Sequence, residues 1–182
     1  MQLTTRESQI LICGRTGLAS EQARRLLVAG AAGPGELVGR STLYDADRVH
    51  DLAARPAVDL GRLAHTCPRG LYVARLDRAS PLSVSASWAD QARVAAAQPP
   101  LPPLTRASIN VRIGAWGPLP WLATISGLVV FGARAEGAHT EASGRTRFQL
   151  VPPGEWFDAV ADRWFPTGRG RHWVMWLPPL TQ

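Results

Sequence analysis

The first 65 residues of this 182-residue chain contain no tryptophan, and all seven tryptophans stand at or beyond Trp88. So sharp a change in aromatic content divides the chain near residue 66. It predicts a small N-terminal helical unit over residues 1–65 and a larger, aromatic unit over residues 66–182. Apolar residues make up 46% of the chain, enough for packed cores and too many for wholesale disorder. No internal repeat is visible.

Glycine and proline punctuate the N-terminal unit into short pieces. The run "TTRESQILICGRTG" predicts a first helix, capped at Thr5 and carrying Ile10, Ile12 and Cys13. In "GLASEQARRLLVAGAA", Ser20 is the expected cap of a second helix. There Ala23, Leu26 and Leu27 share an inward face, Gln22, Arg24 and Arg25 face out, and Gly30 stops the helix. The stretch "GPGELVGRSTLYD" places turn glycines around two extended pieces, the pattern of a hairpin. Asp45 or Asp47 then opens a third helix with Val49 and Leu52 inward, ended by Pro56. The run "VDLGRLAHT" adds one or two further turns.

In the second unit, "GLYVARL" predicts a strand and "SWADQARVAAAQ" a helix capped by Ser87. The prolines of "PPLPP" make a stiff connector. Ile109, Val111 and Ile113 alternate with polar residues in "ASINVRIGAW", which reads as a half-buried strand. A second strand is expected in "WLATISGLVVFGAR", then a polar loop in "EGAHTEASG" and a third strand in "TRFQLV". The run "PPGEWFDAVADRWF" has proline at a helix start, with Trp156, Phe157, Val160, Ala161 and Trp164 at core-like spacing. "RHWVMWL" closes as a strand. The expectation is an α+β unit of three to five strands and two helices around a small, mostly antiparallel sheet.

The run "TGLASEQARRLLVAGAA…GRSTLYDADRVHDLAAR" resembles the MerR and excisionase-like winged helix-turn-helix superfamily. Gly17 and Leu18 lead into the helix, Ala23 and Leu26 follow at the pattern's apolar positions, and Gly30 ends it. Arg40, Tyr44, Asp45, Val49 and Leu52 then match the wing and the acid-capped helix behind it. The resemblance covers about fifty residues and none of the second unit. It departs from the pattern at Ala19, where a serine cap is usual, and at Arg15, where an apolar residue is usual. The long dimerisation helix of typical MerR regulators has no counterpart, since no heptad occurs in residues 66–182.

The resemblance implies a winged helix-turn-helix that binds double-stranded DNA, as a transcriptional regulator or a mobile-element accessory factor. Its recognition helix would enter the major groove with Ser20, Gln22, Arg24 and Arg25. Arg40, Ser41 and Thr42 would present the wing, and Tyr44 and Arg48 would contact phosphates beside it. The alternative is a protein-interaction adaptor that docks through the same surface without DNA. Residues 66–182 would supply a homodimer contact or another protein partner.

All 20 basic residues are arginine, and the formal charge is +6. Arginine suits phosphates and guanine edges, yet the excess lies mostly outside the quoted helix. Residues 1–65 hold eight arginines against seven acids, and residues 66–182 twelve against seven. Arg163, Arg169 and Arg171 in "RWFPTGRGRHW" form a candidate accessory nucleic-acid contact by charge and stacking. A ligand pocket among Trp116, Trp121, Trp156 and Trp164 is a weaker candidate. His50, His65, His139 and His172 are scattered, Cys13 and Cys67 fit no zinc spacing, and no phosphate-loop or nucleophile-elbow motif occurs. The expectation is a non-enzyme without metal or cofactor. The opening "MQLTTRESQ" lacks a leader pattern and no apolar run is long enough for a bilayer. The expected location is therefore cytoplasmic, on the nucleoid if DNA is bound.

Overall fold

The computed structural model describes residues 1–76, 82–167 and 172–179. It is a mixed structure of helices and two sheets. The N-terminal part runs β1 (Gln2–Thr4), α1 (Thr5–Thr16), α2 (Ser20–Val28), β2 (Glu36–Val38), β3 (Ser41–Asp45), α3 (Ala46–Ala54) and α4 (Leu60–Thr66). The first cap lies one residue earlier than expected. Thr4 Oγ1 accepts from the Glu7 amide while the Glu7 carboxylate accepts from the Thr4 amide, a reciprocal box that satisfies two otherwise orphan donors. Gly17, at φ 71°, ends α1. Ser20 is the first residue of α2 and not its cap: Ala19 holds that place, and Gln22 Oε1 accepts the Ala19 amide at 3.0 Å. Of the two acids at the start of α3, Asp45 is the cap, accepting the amides of Asp47 and Arg48, and Asp47 lies in the first turn.

The hairpin of β2 and β3 turns at Gly39 and Arg40, with Val38 opposite Ser41. Gly39 has φ 62°, a left-handed conformation that a two-residue turn needs at its first position. β1, which no sequence signal announced, pairs antiparallel with β3 and completes a sheet of order β1-β3-β2.

The second part contains β4 (Leu71–Arg75), α5 (Trp88–Ala96), β5 (Ala97–Gln98), α6 (Pro103–Trp116), β6 (Leu119–Ile125), β7 (Leu128–Thr140), β8 (Thr146–Val151), a 3-10 helix (Glu155–Ala159) and β9 (Trp173–Trp176). The strands form one sheet of order β5-β8-β7-β6-β4-β9. Every neighbouring pair is antiparallel except β4 with β6. Both faces of its centre are covered, and alternate residues serve each. Tyr72 and Trp121 stack on one side, with ring centroids 5.9 Å apart, and Phe148 lies 4.9 Å from Tyr72. Leu71, Val73 and Leu122 face the other side and pack with Val58, Leu63, Cys67, Val160 and Phe165. The first cluster continues without a break into Ile12, Leu26, Leu27, Val49 and Leu52, so apolar packing crosses residue 66.

Four expectations for this part change. The segment read as a strand with Ile109, Val111 and Ile113 is helix α6. Ile109 and Ile113 are one turn apart and face inward, while Val111 is left 70% exposed, so three apolar residues imitated a period of two. Pro103 starts that helix, where its missing amide costs nothing. The single strand over 121–134 is a hairpin, because Ser126 and Gly127 both take positive φ and reverse the chain between Ile125 and Leu128. The polar loop shortens to a turn after Thr140, as β7 runs on through it. The expected helix ending at Trp164 is only the five-residue 3-10 turn. Asp162, at φ 55°, breaks it, and Trp164 is extended and bridged to Ala57 and Leu128.

β7 overruns β6: the last pair is Leu119 with Ala135. Asn110 of α6 takes over that open edge, its amide nitrogen donating to the Ala138 carbonyl at 2.8 Å and its oxygen accepting the Ala138 amide at 2.9 Å. The side chain acts as one residue of a missing strand. Asn110→Ala leaves both groups without these partners, and urea unfolding is expected to report a loss of about 1–3 kcal/mol. Burial pushes the Cys67 thiol up to about 11, the hydroxyl of Thr66 opposing slightly. At pH 8 almost no thiolate is present, so native Cys67 should resist iodoacetamide and react only after unfolding. Mass spectrometry reads this directly, and rapid native alkylation would contradict the packing.

Candidate nucleic-acid interface

α1 and α2 are joined by three residues, Gly17, Leu18 and Ala19, and both rest on the shared core. Ala23, Leu26 and Leu27 are the buried face of α2, as their spacing requires. Ser20, Glu21, Arg24 and Val28 therefore lie on the outer face, with Arg25 at its margin. Glu21 sits between the two arginines. Its carboxylate accepts from Arg24 Nε at 2.9 Å and from Arg25 Nε at 3.4 Å. The hydrogen bond from Arg24 holds the Glu21 carboxyl below its ordinary range, with Arg25 adding to the effect, and the same pairing raises Arg24. Both guanidiniums are thus present and charged, but partly occupied.

Gln22 differs from its neighbours. It is half-buried, its side chain is spent on the Ala19 amide, and its carbonyl accepts the Ser126 hydroxyl at 3.0 Å. The expectation that Gln22 reads a base edge therefore gives way to a role in seating α2. Tyr44 is corrected too. Its ring is 5% exposed and belongs to the core behind the hairpin, so it does not stand ready for a phosphate. Gly35 passes close by, where a β-carbon would lie 2.4 Å from Thr42 Cγ2 and 3.0 Å from the Tyr44 ring, which explains the glycine there.

Arg40 occupies the hairpin tip and is exposed, with Ser41 exposed beside it. Thr42 is half-buried, and its carbonyl accepts the Thr5 hydroxyl at 3.3 Å, which ties the hairpin to the first turn of α1. Arg48 is exposed on the first turn of α3. Its side chain crosses Gly33, where any β-carbon would stand 2.4 Å from Nη1. Leu37 and Val38 of β2 are also exposed, at 73% and 49%.

The accessory candidates do not join this surface as a set. Arg163 is half-buried, and its carbonyl accepts the Val129 amide at 2.9 Å. Arg169 and Arg171 lie outside the described residues. Nor do the four tryptophans form one pocket. Trp121 is buried in the sheet core, Trp116 lies under Arg69 and Arg112, Trp156 packs on Phe157, and Trp164 lines a separate cleft. That cleft, with Arg15, Arg55 and Arg75 on its walls, was not foreseen, because its residues meet only in the folded chain. Among the described residues no group of three or more His, Cys, Asp or Glu side chains is placed to hold a metal, and no helix is long and apolar enough to cross a membrane. Comparison with protein-family models, curated proteins and solved structures returns no match.

Proposed function

We propose that the chain binds double-stranded DNA through the outer face of α2 and the arginine-tipped hairpin of β2 and β3. The observation that carries this reading is the succession of two helices across a three-residue turn, followed after residues 29–35 by a short hairpin whose tip is Arg40. The likeness of residues 17–55 to MerR and excisionase-like sequences supports the same docking. In this reading Arg24 and Arg25 exchange their exposed ion pairs with Glu21 for guanine edges or phosphates. Exposed pairs are weak enough to make that exchange cheap. Arg40 and Arg48 hold the backbone on either side, and Ser20 and Ser41 add hydroxyl contacts. The protein would act in the cytoplasm, at the nucleoid, as a regulator of transcription or an accessory factor of a mobile element.

A second reading has its own observation. Val28, Leu37 and Val38 are exposed at 72%, 73% and 49%, apolar surface that a protein partner would cover and DNA would not. Selection from random duplexes separates the two. Wild type is expected to enrich a motif that the Arg24→Ala/Arg25→Ala double variant does not. Each single variant should weaken binding to that motif roughly tenfold to a hundredfold. Affinity should fall with salt at a log–log slope near −0.9 per neutralised phosphate. Glu21→Gln releases both arginines and is expected to tighten binding to any duplex. No enrichment by wild type, together with a Leu37→Asp-sensitive protein complex, would favour the adaptor.

A further inference from the structure

The outer face of α2 carries one carboxylate among its cations. Glu21 is the only acid in this nine-residue helix, and it stands exposed in the first turn. Its oxygens accept from Arg24 Nε at 2.9 Å, from Arg24 Nη2 at 3.4 Å and from Arg25 Nε at 3.4 Å. A recognition helix meets base edges with its N-terminal residues, so Glu21 enters the groove together with both arginines. Once the arginines turn to guanine edges or phosphates, this carboxylate is left in the negative field of the duplex. An acceptor-only group there costs affinity on every sequence unless a base supplies a donor.

The major groove offers two base donors, cytosine N4 and adenine N6. Adenine N6 stands beside the N7 acceptor, which repels a carboxylate, whereas cytosine presents its amino group with no acceptor next to it. The guanine paired with that cytosine shows O6 and N7, the two acceptors that an arginine takes in a bidentate grip. Side chains three apart on a helix start about 5–6 Å from one another, and successive base pairs rise about 3.4 Å. Glu21 and Arg24 therefore reach one base pair or two neighbouring ones. We infer that Glu21 is a specificity-determining residue that selects a cytosine in the target, at or next to the guanine taken by Arg24. The assignment rests on the DNA binding proposed above and adds the base identity that α2 demands.

The test is selection from random duplexes by the full chain as wild type, Glu21→Gln and Glu21→Ala, with Arg24→Ala marking the guanine position. The wild-type motif is expected to hold a cytosine in the marked pair or the one beside it. Glu21→Gln should replace that cytosine with adenine, because an amide grips adenine N6 and N7 together. Glu21→Ala should leave the position open to any base while the rest of the motif persists. On two synthetic duplexes that differ only there, wild type should prefer cytosine to adenine by about tenfold, and Glu21→Gln should reverse the order. The readout is a ratio between duplexes, so a general gain in affinity from removing the charge cancels. A wild-type motif that both Glu21 variants share unchanged overturns this assignment alone. Loss of the whole motif by both variants also overturns it, since Glu21 would then act by holding the arginines and not by meeting a base. A wild type that enriches nothing removes the DNA binding and the assignment with it.

Discussion

Three segments distant in sequence meet at Trp164, and the geometry of the molecule follows from their backbone hydrogen bonds. The Trp164 amide donates to the Pro56 carbonyl and its carbonyl accepts the Val58 amide, both at 2.9 Å. On either side, the Val129 amide donates to the Arg163 carbonyl and the Phe165 amide to the Gly127 carbonyl. This junction fixes the link between α3 and α4 against the start of β7. The α1–α2 pair shares a core with α3, so its place above the sheet is set at the same point. The Ser126 hydroxyl on the Gln22 carbonyl adds a second tie from the same hairpin. Backbone bonds of this kind tolerate little angular change, so α2 and the cleft beside it are held in one frame with the sheet.

The parts legible in the sequence are those decided within a few residues. Gly17, Gly30 and Gly39 mark their turns by positive φ, and Asp45 and Ser87 cap the helices they precede. The inward face of α2 follows from Ala23, Leu26 and Leu27 alone. The parts that were not legible depend on distant partners. Whether the Ile109–Ile113 segment coils or extends is decided by what it packs on, and five residues satisfy both periods. Gln22 is held through its side chain by the Ala19 amide and through its backbone carbonyl by a serine 104 residues away. Tyr44 is buried because the core continues under the hairpin, and the cleft exists only because Arg15, Arg55 and Arg75 arrive from three elements.

The arginine excess of the second part has a structural use that charge counting cannot reveal. Arg69 donates to the Trp116 carbonyl, Arg112 to the Arg69 carbonyl, Arg134 to the Pro152 carbonyl and Arg145 to the Ala97 carbonyl. Each ties a loop or an element end to a neighbour. Arg69 and Arg112 also lie 5.7 and 5.4 Å from the Trp116 ring centre, resting on a residue that remains half exposed. Arginine does this because its five donors can serve a carbonyl while its plane rests on a ring. These four arginines therefore tie the fold together through its carbonyls, while Arg69, Arg134 and Arg145 remain exposed and still contribute to the basic surface of the second part.

The larger sheet ends on two very short strands. β5 has two residues and runs into Pro99 and Pro100; β9 has four and is followed, after Leu177, by Pro178 and Pro179. Proline offers no amide to a newcomer, and so few open backbone positions cannot template a long partner strand. Copies of the chain are thereby discouraged from joining edge to edge into a continuous ribbon. Contacts between copies at the larger sheet are left to its side-chain surfaces.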